Sequence, residues 1–426
     1  MSRTRRLWML ITSTLITALV VSSCATGPDN NQNSLRPEGE NAEKIMTLFS
    51  PIFWLATVIG VAVICATVYI SFRFRATDKN KSPKQVHGNS ILEIGWTILP
   101  LIILIGIAIP TVQTVFELDR KAEPDAIKVE VVGKQWWWQF AVETEPYQLY
   151  NADGTEKVSA NGASEMAKEV VTANELVVPV NRDFELDIKA CDGEIPVVDK
   201  TVDELKQANP CNVVHSFWIP SLGGKADAVP GRSHRLVLKA SKEGIYTGQC
   251  SEYCGLSHGV MRMQVRVVSE AAYAQWIENL QKPPVTPSIA AEGKVPTPAQ
   301  RAIQKYGCAN CHAMDDSSQV SYGPNLTHFG ADFENEVLGG GSIPKTDEHI
   351  WNWVYNATDW KNGWGIPMQS DDCRLGVAPG PGKRCVGMPN FSVPYVYQGP
   401  DGKDITLPKM SQDEAKSIGE YLAKNK

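Results

Sequence analysis

Two long apolar runs constrain this chain more than any other feature of its sequence. Residues 45–72 and 91–116 each exceed the roughly 20 residues that a helix needs to cross a bilayer. The loop between them carries five basic residues and a single acid, Asp78. Because such basic loops stay in the cytoplasm, residues 45–117 predict a transmembrane hairpin, and everything after residue 117 is expected on the outer face of a bacterial plasma membrane.

The first residues of the chain predict export. Residues 1–23 combine a basic start with an apolar run, as in a signal peptide. The sequence Val21-Ser-Ser-Cys24 resembles a bacterial lipobox, in which the cysteine is lipidated and becomes the mature N-terminus. An ordinary cleavage site and an uncleaved anchor are the alternatives. Residues 24–44 form a polar segment that leads to the first span.

The composition excludes one class of function. The chain has 426 residues, enough for two or three domains, and a formal net charge of −6. No basic stripe accompanies this acidic balance, so nucleic-acid binding is not expected. The partners therefore have to follow from the metal chemistry described below.

Residues 125–280 predict an all-β domain. Apolar residues alternate with polar ones, for example at Val129 and Val131 and at Phe184, Leu186 and Ile188. Turn signals such as Asp153-Gly154 and Pro230-Gly231 separate these segments. Short strands joined by turns indicate an antiparallel sandwich or barrel.

A cluster of metal-binding side chains lies within this domain: His215, Cys250, Cys254, His258 and Met261. A single blue-copper centre uses only one cysteine. Two thiolates can bridge two copper ions, and then the Met261 sulfur or the Glu252 carbonyl serves as a weak ligand. A structural zinc site would leave Met261 unexplained, and a Cys250–Cys254 disulfide is the remaining alternative.

The spacing of this loop resembles the dinuclear copper A loop of subunit II of the haem–copper cytochrome c oxidases. The resemblance covers about residues 45–270. It implies a cupredoxin fold and a copper ligand set in which Glu252 acts through its backbone carbonyl: His215, Cys250, Glu252, Cys254, His258 and Met261.

A second redox centre is predicted after a Pro-rich, semi-rigid linker at residues 281–298. The sequence Cys308-Ala-Asn-Cys311-His312 is the signature of covalent c-type haem attachment, with His312 as an iron ligand. A thioredoxin-like pair would share the two cysteines, but no βαβ pattern surrounds them. Residues 299–426 resemble the small class I cytochromes c, which implies an all-α domain.

The other haem ligand is predicted to be a methionine, because thioether ligation suits an electron-transfer cytochrome. Met388-Pro389 resembles the family's Met-Pro form better than Pro367-Met368 does, so Met388 is favoured and Met368 is the alternative.

Two disulfides are expected in an oxidising compartment. Cys191 and Cys211 flank an insertion, and Cys373 and Cys385 bracket a second one. Separate buried thiols or free surface thiols are the alternatives.

The family resemblance assigns roles to further residues. Glu93 matches the acid at the mouth of a proton channel, although a solvated helix-start carboxylate would look the same. Trp136 matches the residue that passes electrons to copper A, or it caps the barrel core; Lys134 and Trp137 stand where the family has His and Tyr. The segment 225–232 matches the surface above the catalytic haems. The Glu252 carboxylate is a candidate ligand for Mg or Mn at a subunit interface.

Together the two regions resemble the composite of caa3-type oxidases, which implies a subunit of a proton-translocating cytochrome c oxidase with a fused haem domain. Haem c would receive electrons from a cytochrome c or a bc-type complex and pass them to copper A. No histidine lies within the apolar spans, so oxygen reduction is expected on a partner, subunit I, with subunit III beside it. A copper A nitric oxide reductase and a free-standing membrane electron carrier are the alternatives.

Overall fold

The structure, a computed structural model, describes residues 32–75, 88–190, 213–255, 258–284, 287–290, 293–310, 312–314, 323–330, 337–338, 343–344, 346–356, 391–392, 394–398 and 404–424. The lipobox and both predicted disulfides lie outside these ranges.

Both predicted spans form long helices. Helix α1 covers Glu40–Arg73 and helix α2 covers Ser90–Leu118. The side chain of Asn89 accepts hydrogen bonds from the backbone N–H groups of Ile91 and Leu92 and so caps the first turn of α2. Both helices are long and apolar enough to cross a membrane, and their hydrocarbon side chains are exposed along the spans. The two helices therefore form the predicted hairpin.

Ten strands form the β domain that follows. They are β1 Ile127–Lys134, β2 Trp137–Gln148, β3 Met166–Ala173, β4 Glu175–Pro179, β5 Asp183–Ala190, β6 His215–Trp218, β7 Ala226–Ala228, β8 His234–Lys239, β9 Gly244–Cys250 and β10 Arg262–Val268.

The strands build two five-stranded sheets, ordered β3-β2-β1-β5-β8 and β4-β10-β9-β6-β7. The prediction of a purely antiparallel domain was wrong in one respect, because β1 pairs with β5 and β4 pairs with β10 in parallel. Each parallel pair joins strands separated by at least one other element, since a parallel neighbour cannot be reached by a tight turn.

A continuous apolar core fills the space between the two sheets. Alternate residues of β1 and β5, such as Val131 and Ile188, are fully buried, as strands with one face on a core require. Helix α3 at Glu270–Leu280 begins at Ser269, whose side chain accepts from the N–H of Ala272. It buries Tyr273, Trp276 and Leu280 in the same core.

The start of helix α1 is attached to the β domain. Gly39 bridges to Ala240, and an added side chain there would collide with the carbonyls of Leu222 and Lys239, both 2.8 Å away. The buried Asn41 donates from Nδ2 to the carbonyl of Val237 at 2.8 Å. The membrane hairpin and the β domain are thus joined by backbone contacts as well as by the chain.

An ion pair strengthens this junction from the other helix. Arg120, two residues beyond α2, donates from Nη2 to Oδ1 of Asp183 at 2.8 Å, and its guanidinium also lies 3.6 Å from Glu40. The Asp183 side chain is 0% exposed. Its hydrogen bonds with Arg120 hold the pKa of the Asp183 carboxyl below its usual value, against the opposing effect of burial.

The C-terminal part contains helices α4 Pro298–Lys305, α5 Asp347–Asn356 and α6 Gln412–Lys424 around a separate apolar core. Thr297 and Gln300 form a reciprocal capping box at the start of α4. Two short antiparallel pairs, β11 Val337–Leu338 with β12 Ile343–Pro344 and β13 Tyr395–Gln398 with β14 Asp404–Leu407, add β structure that an all-α prediction does not include.

Removing one partner of the Arg120–Asp183 pair should destabilise the β domain. Arg120→Met leaves a buried carboxylate without its ion-pair partner, and we expect a loss of about 3 kcal/mol in the free energy of unfolding at pH 7. Because the folded-state pKa of Asp183 is lowered, the pair stabilises the protein above the unfolded-state pKa of about 3.9. That contribution disappears as the pH falls through the lower folded-state value.

The measurement is the unfolding free energy of the purified chain, followed by tryptophan fluorescence between pH 3 and pH 7. Lys128→Met is the matched control, because the Lys128–Glu143 pair is exposed on both sides and 3.6 Å apart; it should cost less than about 0.5 kcal/mol. Equal effects of the two substitutions at pH 7 would contradict the role given to Arg120.

Candidate metal centre

The candidate metal site lies on the loop between β9 and β10, at one end of the sandwich. The backbone N–H of Cys250 donates to the carbonyl of Met261 at 2.9 Å, which closes the loop into a narrow hairpin. On the neighbouring strand β6, Phe217 is the register partner of Cys250. His215, the first residue of β6, is therefore brought beside the loop although it lies 35 positions earlier.

The predicted donor atoms converge. Among the described residues, the Nδ1 or Nε2 of His215 and the two sulfurs of Cys250 and Cys254 lie within 4.8 Å of one another, and all three residues are buried. His258 Nδ1 and the Met261 sulfur each lie 3.7 Å from the Cys254 sulfur. A two-cysteine, two-histidine set with a thioether is soft enough for copper.

Glu252 contributes its backbone to this cluster. Its carbonyl oxygen lies 3.1 Å from the Cys250 sulfur, while its carboxylate is on the exposed side of the loop. The carbonyl is thus placed as a weak ligand, and the residue itself is exposed to solvent.

The geometry bears on the two alternatives to copper. The Cys250 and Cys254 sulfurs are 3.8 Å apart and unbridged, far beyond the roughly 2.05 Å of a disulfide. The Met261 thioether points at Cys254, whereas a structural zinc site takes thiolates, imidazoles and carboxylates. The donor set therefore fits copper better than zinc.

The two thiols differ in acidity. Hydrogen bonding with Cys254, helped by His215, lowers the pKa of Cys250 to about 3. The same contact and burial raise the pKa of Cys254 well above its usual value. The two sulfurs thus differ in the direction of their pKa shifts, and a metal that binds both would displace the proton of Cys254.

The sequence pattern did not single out the residues that hold this loop in place. Gly133 of β1 lies against His215, and any Cβ at Gly133 would approach the imidazole ring to 2.9 Å. Trp138 packs edge-on against the same ring, with centroids 5.9 Å apart. A glycine inside a strand is a recognised sign of close approach, so Gly133 could have been found from the sequence.

Trp136, the predicted point of electron transfer into copper, is 5% exposed. Its indole N–H donates to the carbonyl of Cys254 at 3.0 Å, and Gln135 donates to the same oxygen at 2.8 Å. Trp136 is therefore hydrogen-bonded to the backbone of the metal loop. Lys134 and Trp137, which depart from the family pattern, contact each other, since the Lys134 ammonium lies 4.6 Å from the Trp137 ring centre.

The remaining predicted residues lie elsewhere. Glu93 lies in the first turn of α2 at the inner end of the hairpin, folded back towards Gly88. Asp227 of the 225–232 segment accepts a hydrogen bond from Ser216, the neighbour of His215. In the C-terminal part, His312 Nδ1 lies 2.8 Å from the carbonyl of Pro324; Cys311 and Met388 lie outside the described residues.

A membrane hairpin that carries a β sandwich with a buried Cys₂His cluster defines a class: membrane-anchored, copper-binding electron-transfer subunits. Comparison with known proteins agrees. The periplasmic domain of cytochrome c oxidase subunit II matches residues 127–268, and the transmembrane domain of the same subunit matches residues 32–114.

Curated relatives named cytochrome c oxidase subunit 2 align over most of their length. The Bacillus subtilis protein is 30% identical, with 81% of this chain and 88% of that protein covered. The Alkalihalophilus pseudofirmus protein is 29% identical, with 80% and 87% covered. The Cereibacter sphaeroides protein is 35% identical, with 54% and 75% covered. The chain belongs to the cytochrome c oxidase subunit II family, whose periplasmic domain binds copper A.

Crowding His215 should weaken copper binding. In Gly133→Ala the new methyl group lies 2.9 Å from the imidazole, which Trp138 prevents from moving away freely. We expect copper affinity to fall by about tenfold or more, as for other residues that orient metal ligands. Copper retained per chain against a competing chelator is the measurement.

Gly259→Ala is the matched control, because nothing lies within 4 Å of an added Cβ in that turn of the copper loop. It should retain copper like the unmodified chain. If Gly133→Ala did so as well, the close approach of β1 would have no part in holding His215.

Proposed function

We propose that this subunit carries two redox centres and relays electrons from its own haem c through copper A to subunit I. The observation that carries the proposal is the convergence of two thiols, two imidazoles and a thioether at one end of the sandwich. As a subunit of a haem–copper oxidase, the chain implies a catalytic partner. The reduction of oxygen and the coupled proton pumping are assigned to that partner.

The proposed copper ligands are those that the loop brings together: His215, Cys250, Glu252 through its carbonyl, Cys254, His258 and Met261. When bound, the copper pair would supply a one-electron centre that binds no substrate. The protein holds the ligand side chains in position and excludes water from them. His215 is fully buried, and the hydrogen bonds from Gln135 and Trp136 fix the loop carbonyl at Cys254.

The C-terminal part is proposed to be a haem c domain spanning residues 299–426. With its proton on Nδ1, His312 donates to Pro324 and leaves Nε2 for iron. Gly323 lies so close to the imidazole that a Cβ would approach to 2.6 Å, which fixes the ring orientation. Burial also lowers the pKa of His312, which favours the neutral, ligating form. Met388 is proposed as the residue that would hold the haem iron together with His312, with Met368 as the alternative.

The extent of the alignments supports a C-terminal domain shared with relatives. Residues 1–298 make up about 70% of the 426-residue chain. An alignment that covers 80% or 81% of the chain therefore extends beyond the linker.

Further assignments complete the proposal. Trp136 passes electrons into copper A, and its bond to the Cys254 carbonyl supports this role. The exposed Glu252 carboxylate faces a partner subunit and is offered to Mg or Mn there. Cys24 is the lipid-modified N-terminus of the mature chain, residues 281–298 are the linker, and a cytochrome c or bc-type complex supplies the electrons. Subunit III is expected alongside subunit I.

Loss of the attachment thiol tests the haem assignment. Cys308→Ala should reduce the covalently bound haem retained on the denatured chain, because only one of the two thioether bonds can still form. Heme-stained gels and intact mass measure the result, and Cys65→Ala, at an exposed cysteine within α1, is the matched control. Covalent haem in Cys308→Ala equal to that in the control would overturn the proposal.

Glu93 is proposed to admit protons to subunit I from the cytoplasmic side. Glu93→Gln keeps the size of the side chain and removes the titratable group, so oxygen consumption by the purified complex should fall several-fold with copper and haem content unchanged. Glu43→Gln, a first-turn acid at the outer end of α1, is the control. Unchanged turnover in Glu93→Gln would leave Glu93 as a helix-start carboxylate only.

A further inference from the structure

The linker between the β domain and the C-terminal part forms hydrogen bonds with both of them. The N–H groups of Ser288 and Ile289 donate to the carbonyl of Ala152, at 2.8 and 3.2 Å, in the turn at the far end of the β2–β3 hairpin. Ser288 is 3% exposed, and its hydroxyl lies 3.2 Å from the carbonyl of Met314 in the C-terminal part. A segment that the sequence predicts to be a spacer is thus a structured contact.

The linker is held from the C-terminal side by one more residue. The buried Gln300 of α4 donates from Nε2 to the carbonyls of Pro287 and Ile289, both at 2.9 Å. The same Gln300 closes the capping box with Thr297. Linker residues 287–290 are therefore fixed to α4 on one side and to the hairpin on the other.

The two domains also meet directly along the hairpin. A narrow crevice is lined on the β side by residues of β2, β3 and α3 and on the C-terminal side by Asn325 and His328; the β-side residues are Tyr147, Glu169, Val170, Val171 and Leu280. Asn325 follows Pro324, whose carbonyl is bonded to His312. The contact is thus close in sequence to the proposed iron ligand.

The β-domain residues of this contact are connected through strand β2 to the proposed copper site. Val171 is the register partner of Ala141, which lies three residues along β2 from Trp138, about 10 Å at the usual rise of a strand. Trp138 packs on the copper ligand His215. A continuous path of bonded and packed groups therefore runs from the C-terminal part to the metal site without passing through Trp136.

We propose that the β2–β3 hairpin is a permanent docking surface for the chain's own C-terminal domain, fixed by residues 287–290, and that electrons from this domain reach copper from this side, in place of the entry through Trp136 proposed above. The electron step rests on the proposed haem function. One electron leaves the haem iron, which is oxidised from Fe(II) to Fe(III), and reduces the copper pair by one. On this path Trp138 is the residue whose ring packs against His215.

A charge introduced into the crevice tests the docking. Val171→Lys places an ammonium against Asn325 and His328, where it cannot remain buried without cost. The matched control is Met166→Lys, at an exposed position of the same strand outside the crevice. Hydrogen exchange of the intact oxidase, measured over residues 287–290 and 147–152, should increase several-fold in Val171→Lys and stay unchanged in the control.

Electron transfer is the second readout. After rapid reduction of the haem, transfer to copper within the complex should be slowed about tenfold in Val171→Lys, since small displacements of reacting partners have effects of this size. Ser288→Ala combined with Gln300→Leu should act in the same direction if Val171→Lys fails to fold. Unchanged exchange and unchanged transfer in the folded variants would overturn the docking.

The two proposals fail differently. Absence of covalent haem in the unmodified chain would remove the electron step and leave the docking testable by hydrogen exchange alone. Retained haem and copper, with exchange and transfer rates unaffected by Val171→Lys, would refute the docking and leave the haem function intact.

Discussion

The approach of two cysteine sulfurs to 3.8 Å is the constraint on which the rest of the outer domain depends. Burial and the neighbouring Cys250 sulfur raise the pKa of Cys254, so a metal that binds both sulfurs has to displace the proton of Cys254. The protein meets the distance constraint with backbone geometry. The bond from Cys250 to Met261 closes the loop, and the pairing of β6 with β9 brings His215 to its side. The strands of the sandwich thus fix the positions of the donor atoms.

The chemistry of the site could be predicted from the sequence because most of its ligands are local. Cys250, Cys254, His258 and Met261 lie so close along the chain that any compact loop gathers them. His215 required a strand pairing that no spacing reveals, and its assignment depended on the family resemblance. The residues that orient the ligands could not be predicted in the same way, since Trp138 and Gln135 act through contacts across more than 70 positions.

For the fold, the individual elements were predictable from the sequence, but the pairing of the strands was not. Long apolar runs identify membrane helices from composition alone, and alternation identifies strands. The parallel pairs β1–β5 and β4–β10 were missed because alternation describes one strand at a time and carries no information on the direction of its neighbour. The structured linker was missed for a related reason: Ser288 and Gln300 are ordinary polar residues until the Ala152 carbonyl and the linker carbonyls are brought near them.

The attachment of Gly39 and Asn41 to residues 222–240 has a consequence for biogenesis. The start of the first membrane helix is a packing element of a domain encoded almost 200 positions later. That domain can complete its surface only if the hairpin has been inserted with both ends outside. A hairpin inserted in the opposite orientation would leave the surface around Val237 and Leu222 uncovered. The same contacts therefore depend both on the correct membrane topology and on the correct folding of the copper domain.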